Sequence, residues 1–284
     1  MTERARQRPL VQVVNAERIV VLGWGRAILA QLAHPLVDAG VAEHSRFATD
    51  WRSALRRFRA TVDAMRALTF GPPSRAIAAA GRIARTHDRV HGVLQEPLGP
   101  YPTGTRYSAH DPELLTWVHV TTIEATLFAY ERFVAPLDAA ARDQYCAEAT
   151  AMERWLGVPP GTFPRSWADL QDTITQAWRA GTVVVTPLAR QLTATVLNPP
   201  HAWWLGPVTR VWRWLTLGLL PDWLREAYGY PWSEGDQQRF ARWCRLLRAT
   251  WRILPSRIRH WPEARAGLPL PVPPDRIMRA GAWR

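Results

Sequence analysis

The chain has 284 residues, and its 47% apolar and 21% charged residues are typical of a globular protein that buries a substantial core. Its net charge of +12 is carried by arginine alone, because the sequence contains no lysine. No helix-turn-helix, zinc-finger or RNA-binding signature accompanies this charge, so we do not expect a nucleic-acid-binding protein. The only cysteines, Cys146 and Cys244, have neither metal-binding spacing nor a disulfide framework, which favours the reducing cytosol.

Membrane-spanning and secretory segments are not predicted. No stretch reaches the roughly 18 to 20 apolar residues that a spanning helix requires. The N-terminal residues lack a long apolar run after their charges, so no secretory signal is indicated. We therefore predict a cytoplasmic protein, with peripheral contact at a membrane surface as an open alternative.

The elements in chain order are predicted to be helices. The first covers 17–33 and ends at His34-Pro35, because a residue before proline disfavours the α conformation. Apolar residues at helical spacing predict a second helix over 51–69. Gly71-Pro72-Pro73 ends it, and Ser74 is a candidate cap for a third helix over 75–94.

The second half continues the pattern. Asp111-Pro112-Glu113 is a strong start signal for a helix to about Phe133, which is apolar nearly all round and hence central. Further helices are predicted at 138–156, 166–181, 183–196, 206–218 and 235–252. Strand patterning is weak throughout. The sequence thus predicts an all-α fold, with a helical domain over 1–253 and a Pro/Arg-rich tail over 254–284.

Histidines on apolar helix faces are the main candidates for a functional site. His87 and His119 lie in the apolar stripes of two predicted helices, and burying an imidazole costs free energy unless its nitrogens find partners. A metal or cofactor between the helices would supply them. His91 lies four residues after His87 and is expected on the same face. Ordinary core histidines remain the alternative, and for His119 the neighbouring threonine hydroxyls would be adequate partners.

Arg57 and Thr61 lie four residues apart at the edge of another apolar stripe. A cationic donor near buried imidazoles suits the anionic edge of a cofactor or a polarised oxygen. The simpler alternatives are that Thr61 bonds back to its own helix and that Arg57 extends into solvent.

Two further patterns concern packing. The small residues Gly23 and Gly25 are expected to let another helix or a flat ligand approach the backbone closely. Ten of the sixteen tryptophans follow residue 200, among them Trp203 and Trp204. The helix over 206–218 has an apolar face that either packs against the body or meets lipid, formed by Val208, Val211, Leu215 and Leu219.

Several segments together resemble one family, that of the ER-bound oxygenase MpaB and the bacterial rubber oxygenase (latex clearing protein). They are ERIVVLGWGRAILAQLAHPLVDAGVAEHS, RFRAT, FG, RTHDRVHG, YSAHDPELLTWVHVT and YGYPWS. The resemblance covers most of residues 15–235. It implies a helical bundle of the rubber-oxygenase type, with globin-like helix packing as an alternative, and a b-type heme that cleaves isoprenoid double bonds with dioxygen.

The resemblance also implies roles for individual residues. His87 matches the heme-iron ligand, with His119 as the alternative, and Arg57 and Thr61 match the arginine-x3-threonine pair beside the heme and are the candidate catalytic residues. The lysine that can lie on the distal side of the heme has no counterpart, since Ala60 occupies its position. The leading hypothesis is a heme-dependent oxygenase, an iron-binding oxidoreductase that acts with dioxygen on a hydrophobic small molecule, an isoprenoid or a lipid. The alternatives are a heme-binding sensor without turnover and a peripheral membrane interaction protein with structural histidines.

Overall fold

The computed structural model describes residues 8–44, 51–198 and 206–274, and within these ranges helices dominate, which confirms the all-α prediction. The helices are α1 (Leu10–Ala16), α2 (Trp24–Leu32), α3 (Pro35–His44), α4 (Trp51–Phe70), α5 (Pro73–His87), α6 (Pro112–Phe133), α7 (Ala139–Ala149), α8 (Ala151–Leu156), α9 (Trp167–Arg179), α10 (Pro187–Leu197), α11 (Gly206–Leu219), α12 (Asp222–Ala227), α13 (Glu234–Ile253) and α14 (Ser256–Arg259). Two short 3₁₀ helices, Arg18–Gly23 and Glu263–Ala266, and one antiparallel hairpin of β1 (His91–Val93) and β2 (Arg106–Ser108) complete the described elements.

Helix α6 is the centre of the bundle, as its all-round apolar sequence predicts. Asp111 caps it by accepting a hydrogen bond from the Glu113 N–H at 2.9 Å, and Pro112 occupies the first turn. Helices α2, α7, α9 and α13 and the first 3₁₀ helix all pack against it. Most of its buried apolar side chains belong to the largest apolar cluster of the described chain, together with residues from each of these neighbours.

The first 3₁₀ helix and α2 approach α6 and α11 closely, because Gly23 and Gly25 lack side chains. A Cβ atom added at Gly23 would lie 2.5 Å from the carbonyl oxygen of Ala125, and one at Gly25 would lie 2.5 Å from Thr216 Oγ1 of α11. The predicted close helix approach is therefore confirmed. A buried ion pair also joins α2 to α6, since Arg26 Nε donates to Glu124 Oε2 at 2.6 Å.

The helix predicted over 75–94 is wrong in its last part, because α5 ends at His87 and His91 opens a strand. His91 is exposed and pairs with Ser108, so it does not share a face with His87. The apolar side chain of Leu94, which extended the predicted stripe, instead packs in a separate cluster with Leu36, Ala39, Tyr107 and Leu114. The expected Ser74 cap is also wrong, since α5 begins at Pro73 without a side-chain cap.

Other helix boundaries also differ from the predicted ones. Pro35 ends the preceding helix as predicted but also begins α3, which the sequence analysis missed together with α1 and α12. The helix predicted over 138–156 is divided into α7 and α8 at Thr150. The helix predicted over 183–196 begins only at Pro187, where the Thr186 hydroxyl accepts the N–H of Ala189.

Helix α11 divides its predicted apolar face between core and surface. Leu215 and Leu219 are buried, whereas Val208 and Val211 are 62% and 54% exposed. Trp243 of α13 completes the buried half, because its ring meets those of Trp214 and Phe133 edge-on. Trp203 and Trp204 lie outside the described residues.

The segment after α13 returns to the N-terminal end of the bundle. The backbone N–H of Trp261 donates to the carbonyl of Ala16 at 3.1 Å, and the guanidinium groups of Arg18 and Arg66 contact its ring, with their Cζ atoms 5.2 and 4.8 Å from the ring centroid. Ala264 is buried beside Ala16. These contacts attach the described part of the predicted tail to the body, and the predicted domain boundary at 253 stays a prediction.

Within the described ranges, no single helix is long and apolar enough to cross a membrane. Only the bent pair Arg18–Leu32 and Pro35–His44, whose parts meet at 105°, meets that requirement of length and composition when taken together.

Candidate functional site

Arg57 and Thr61 lie on the N-terminal half of α4, and both are exposed. The Thr61 hydroxyl donates to the carbonyl of Arg57 at 3.0 Å, which is the back-bonding that the sequence analysis gave as the simpler alternative. Near them, the ring of Phe58 meets Trp24 edge-on at 5.8 Å, so this half of α4 contacts the start of α2. The pair therefore lies at the edge of the described bundle, and burial lowers the pKa of the Arg57 guanidinium.

His87 is the last residue of α5 and is half-buried. It lines a small cavity of about 10 Å³, together with Ile83, Ala84, His110, Trp155 and Leu156. The pKa of His87 is lowered to about 4, chiefly by burial and also by the nearby His110, while Asp88 opposes both effects. The ring is therefore neutral at physiological pH and has a nitrogen lone pair available for a ligand.

His110 is a member of this site that the sequence analysis did not identify. The His110 and His87 rings lie 5.7 Å apart, and His110 Nε2 is 2.8 Å from Asp88 Oδ1. Twenty-three residues separate the two histidines in the chain, and the β1–β2 hairpin brings them together. No spacing pattern in the sequence indicates this contact.

His119 is buried in α6, and its ring is stacked on Phe163 with the centroids 4.0 Å apart and the planes at 12°. Burial lowers the pKa of His119 to about 3, so this imidazole is also neutral. The expectation that threonine hydroxyls satisfy it is wrong: Thr122 Oγ1 donates to the Val118 carbonyl and accepts from the Gln31 amide. In the described part of the chain, the His119 ring has no hydrogen-bond partner.

The two candidate histidines flank α8 and the loop that follows it. Leu156 lines the pocket at His87 and also packs in the cluster that contains Phe163, the stacking partner of His119. Arg57 belongs to the same end of the molecule as His87. The short connection at 71–72 makes α4 and α5 antiparallel neighbours, and both residues lie about 20 Å along their helices from that connection.

The single neutral imidazole of His87 suits a ligand of heme iron better than a site in which protein side chains alone hold a metal ion. The described residues contain no group of three or more His, Cys, Asp or Glu side chains that could hold a metal ion. A heme brings its own four nitrogens, so one neutral imidazole suffices as the protein ligand. The cavity of about 10 Å³ has room for about one water molecule and is far smaller than the roughly 300–1,000 Å³ of ordinary ligand pockets. Accommodating a heme there requires Trp155 and Leu156 to move apart from α5.

A second group of buried polar residues lies at the start of α3, apart from the predicted site residues. His34 is buried and stacks on Tyr101, and burial lowers its pKa to about 4. One turn later, Asp38 is fully buried and its Oδ2 accepts a hydrogen bond from the Thr186 hydroxyl at 2.8 Å. Among the described atoms, Asp38 Oδ1 and His34 Nδ1 have no hydrogen-bond partner.

Comparison with known proteins identifies the family. The family model described as "ER-bound oxygenase mpaB/B'/Rubber oxygenase, catalytic domain" matches residues 11–249. No curated protein and no solved structure matches the chain. Since the match spans most of the sequence, the chain belongs to this family of oxygenases, which confirms the resemblance and the expectation of an oxygenase.

Proposed function

Given that membership, we propose that this protein is a heme-dependent oxygenase that uses dioxygen to oxidise a hydrophobic small molecule, with His87 as the ligand of the iron. The observation that carries the proposal is the state of His87. Its imidazole is neutral, faces a pocket at the end of α5, and has no hydrogen bond to a described residue. An unprotonated ring nitrogen with access to a pocket is what an axial ligand requires.

The other residues of the site have separate tasks in this proposal. Arg57 provides a cation at the level of His87, suited to an acidic group at the edge of the cofactor. Thr61 donates its hydroxyl hydrogen to the Arg57 carbonyl, so its oxygen is free to accept a hydrogen bond. Trp155 and Leu156 provide apolar walls that exclude water and favour an apolar substrate. A bound heme would supply the iron that activates dioxygen.

His119 is the second candidate for the ligand, because it is also neutral and lies beyond α8 from His87. It is less accessible than His87, since one face of its ring is covered by Phe163. Phe163 is itself held by α8, since its backbone N–H donates to Glu153 Oε1 at 2.7 Å. We therefore assign the ligand to His87 in this proposal and compare it with His119 by experiment.

Heme retention distinguishes the two histidines. The protein would be purified after expression with a heme supply, and iron content and the Soret absorption band would be measured for the unaltered chain, His87→Ala and His119→Ala. His44→Ala is a matched control, because His44 is exposed on α3. We expect only His87→Ala to lose the band, with unchanged helical circular dichroism. Loss in His119→Ala alone would assign the ligand to His119, and no band in the unaltered protein would refute the heme.

Arg57→Ala tests the neighbouring cation. Second-sphere partners of metal ligands are typically worth about 10- to 100-fold in affinity, so we expect heme affinity to fall by about that factor. Arg56→Ala is the control, because Arg56 is also exposed but precedes Arg57 on the helix and bonds to Ser53. Equal affinity in both variants would contradict the role of Arg57.

A heme-binding sensor without turnover is the second candidate function. Ala60 favours it, because this exposed position on α4 corresponds to the distal lysine of the rubber oxygenases and carries no group that could contact a bound ligand. Incubation of the heme-loaded protein with dioxygen and isoprenoid or lipid substrates separates the candidates. Oxidised product and stoichiometric dioxygen consumption support an oxygenase, whereas a spectral change without product supports a sensor.

We also propose a cytoplasmic location. Cys146 and Cys244 are buried and free, and burial raises their pKa values to about 12 and 11. Such thiols are unreactive and need no oxidising compartment.

A further inference from the structure

Helix α13 presents a basic and apolar surface to solvent. We call this surface the α13 outer face, and it consists of Arg242, Arg245, Leu246, Arg252 and Ile253. Its two aliphatic side chains are unusually open, because Leu246 is 64% and Ile253 81% exposed. They lie seven residues apart, which places them on the same side of the helix at a separation of about 10 Å. The opposite side of α13 is occupied by core contacts through Phe240 and Cys244.

The arginines of this face lack local counter-charges. Between Arg239 and Pro262 the chain has seven arginines and no acidic residue. Arg239 pairs with Asp236, and Arg259 pairs with Glu17. Arg248 donates to backbone carbonyls of α6. For Arg242, Arg245 and Arg252, by contrast, no carboxylate of a described residue lies within ion-pair distance.

We propose that the α13 outer face docks on the surface of an anionic lipid bilayer, with α13 parallel to the membrane plane. Exposed arginines attract anionic headgroups, and Leu246 and Ile253 lie where a surface-bound helix buries its apolar side chains below the headgroup level. A nucleic acid would satisfy the arginines but would leave both aliphatic side chains in water. The charge and the apolar residues are therefore explained together by a lipid surface.

This docking is independent of heme and of catalysis. It involves neither α4 nor α5, and no residue of the candidate site belongs to the α13 outer face. Failure of the heme proposal would leave this proposal unchanged, and the reverse also holds.

Vesicle sedimentation tests the proposal directly. The full chain would be mixed, at low and at high salt, with vesicles of phosphatidylcholine alone or of phosphatidylcholine with about 30% of the anionic lipid phosphatidylglycerol. The variants are Arg242→Gln/Arg245→Gln and Ile253→Ser. Their controls change exposed residues on other surfaces, namely Arg106→Gln/Arg179→Gln for charge and Val93→Ser for apolar area.

We expect binding to the anionic vesicles only, lost at high salt. The double arginine variant should lower the partition coefficient by about 30-fold, from roughly fivefold for each arginine near an anionic surface. Ile253→Ser should weaken binding as well, and both controls should leave it unchanged. No binding to anionic vesicles at low salt, or equal loss in the controls, would overturn the proposal. Duplex DNA that competes fully with vesicles and binds Ile253→Ser as tightly as the unaltered chain would also overturn it, in favour of a nucleic-acid surface.

Discussion

The buried carboxyl of Asp38 predicts a pH-dependent stability that one substitution should remove. Asp38 is 0% exposed, and Thr186 is its hydrogen-bond donor. Burial raises the pKa of Asp38 from its ordinary value of 3.8 to about 7, and the hydrogen bond from Thr186 opposes the shift. The carboxyl is therefore neutral in the folded protein over a range in which it is ionised in the unfolded chain.

The sign and size of this pH dependence follow from the linkage between proton binding and folding. Below about pH 4 both states hold the proton, and the neutral buried form keeps its full stability. Between about pH 4 and pH 7 only the unfolded state releases it, so the free energy of unfolding falls as the pH rises. A shift of about 3 pKa units at 1.36 kcal/mol per unit corresponds to about 4 kcal/mol. Above about pH 7 both states are ionised and the trend ends.

Asp38→Asn removes the titration while its amide oxygen can still accept from Thr186. We expect the variant to gain about 4 kcal/mol relative to the unaltered protein between pH 4 and pH 8, as measured by urea unfolding monitored by circular dichroism at several pH values. Asp172→Asn, at an exposed position of α9, is the control and should show no such trend. A stability difference for Asp38→Asn that is constant across this pH range would refute the reasoning.

Two further predictions concern packing. Gly23→Ala should destabilise the fold by about 1–3 kcal/mol in chemical denaturation, because its Cβ atom would meet the Ala125 carbonyl oxygen at 2.5 Å. Gly206→Ala, where a Cβ atom would have no neighbour within 4 Å among the described residues, should be close to neutral, and an equal cost would contradict the packing argument. Trp261→Ala should cost about 2 kcal/mol and make 254–274 more sensitive to limited proteolysis, since it removes a half-buried ring that two guanidinium groups contact. Unchanged proteolysis would show that other contacts hold the segment.

The comparison of sequence and structure is clearest in α6. Its start was predictable because Asp111, Pro112 and Glu113 act within a single turn, through a cap, a fixed φ angle and the helix dipole. Its central position was predictable because a helix that is apolar all round has no face for water. The close approach at Gly23 and Gly25 followed similarly from residue size. Such signals involve only residues that are neighbours in the chain.

The candidate site shows where that reasoning ended. Val90 and Leu94 continued the helical spacing of α5, so the helix was predicted to extend to residue 94. In the structure β1 follows α5 and pairs with β2, and Leu94 packs in the cluster of Leu36. The contact of His87 with His110, and the stack of His119 on Phe163, join residues that are 23 and 44 positions apart.

The sequence by itself determined the fold class, most of the long helices and the family, because helical periodicity, capping and segment wording are local properties of the chain. Only the tertiary structure decided which polar side chains are buried and what they meet. The sequence analysis missed α3, and only the packing of α3 against α10 removes Asp38 from water. No pattern in the sequence indicates that Leu246 and Ile253 are exposed, and the arrangement of α6, α11 and α13 leaves both in contact with solvent. Burial depends on which elements pack together, and that depends on free energies summed over the whole chain.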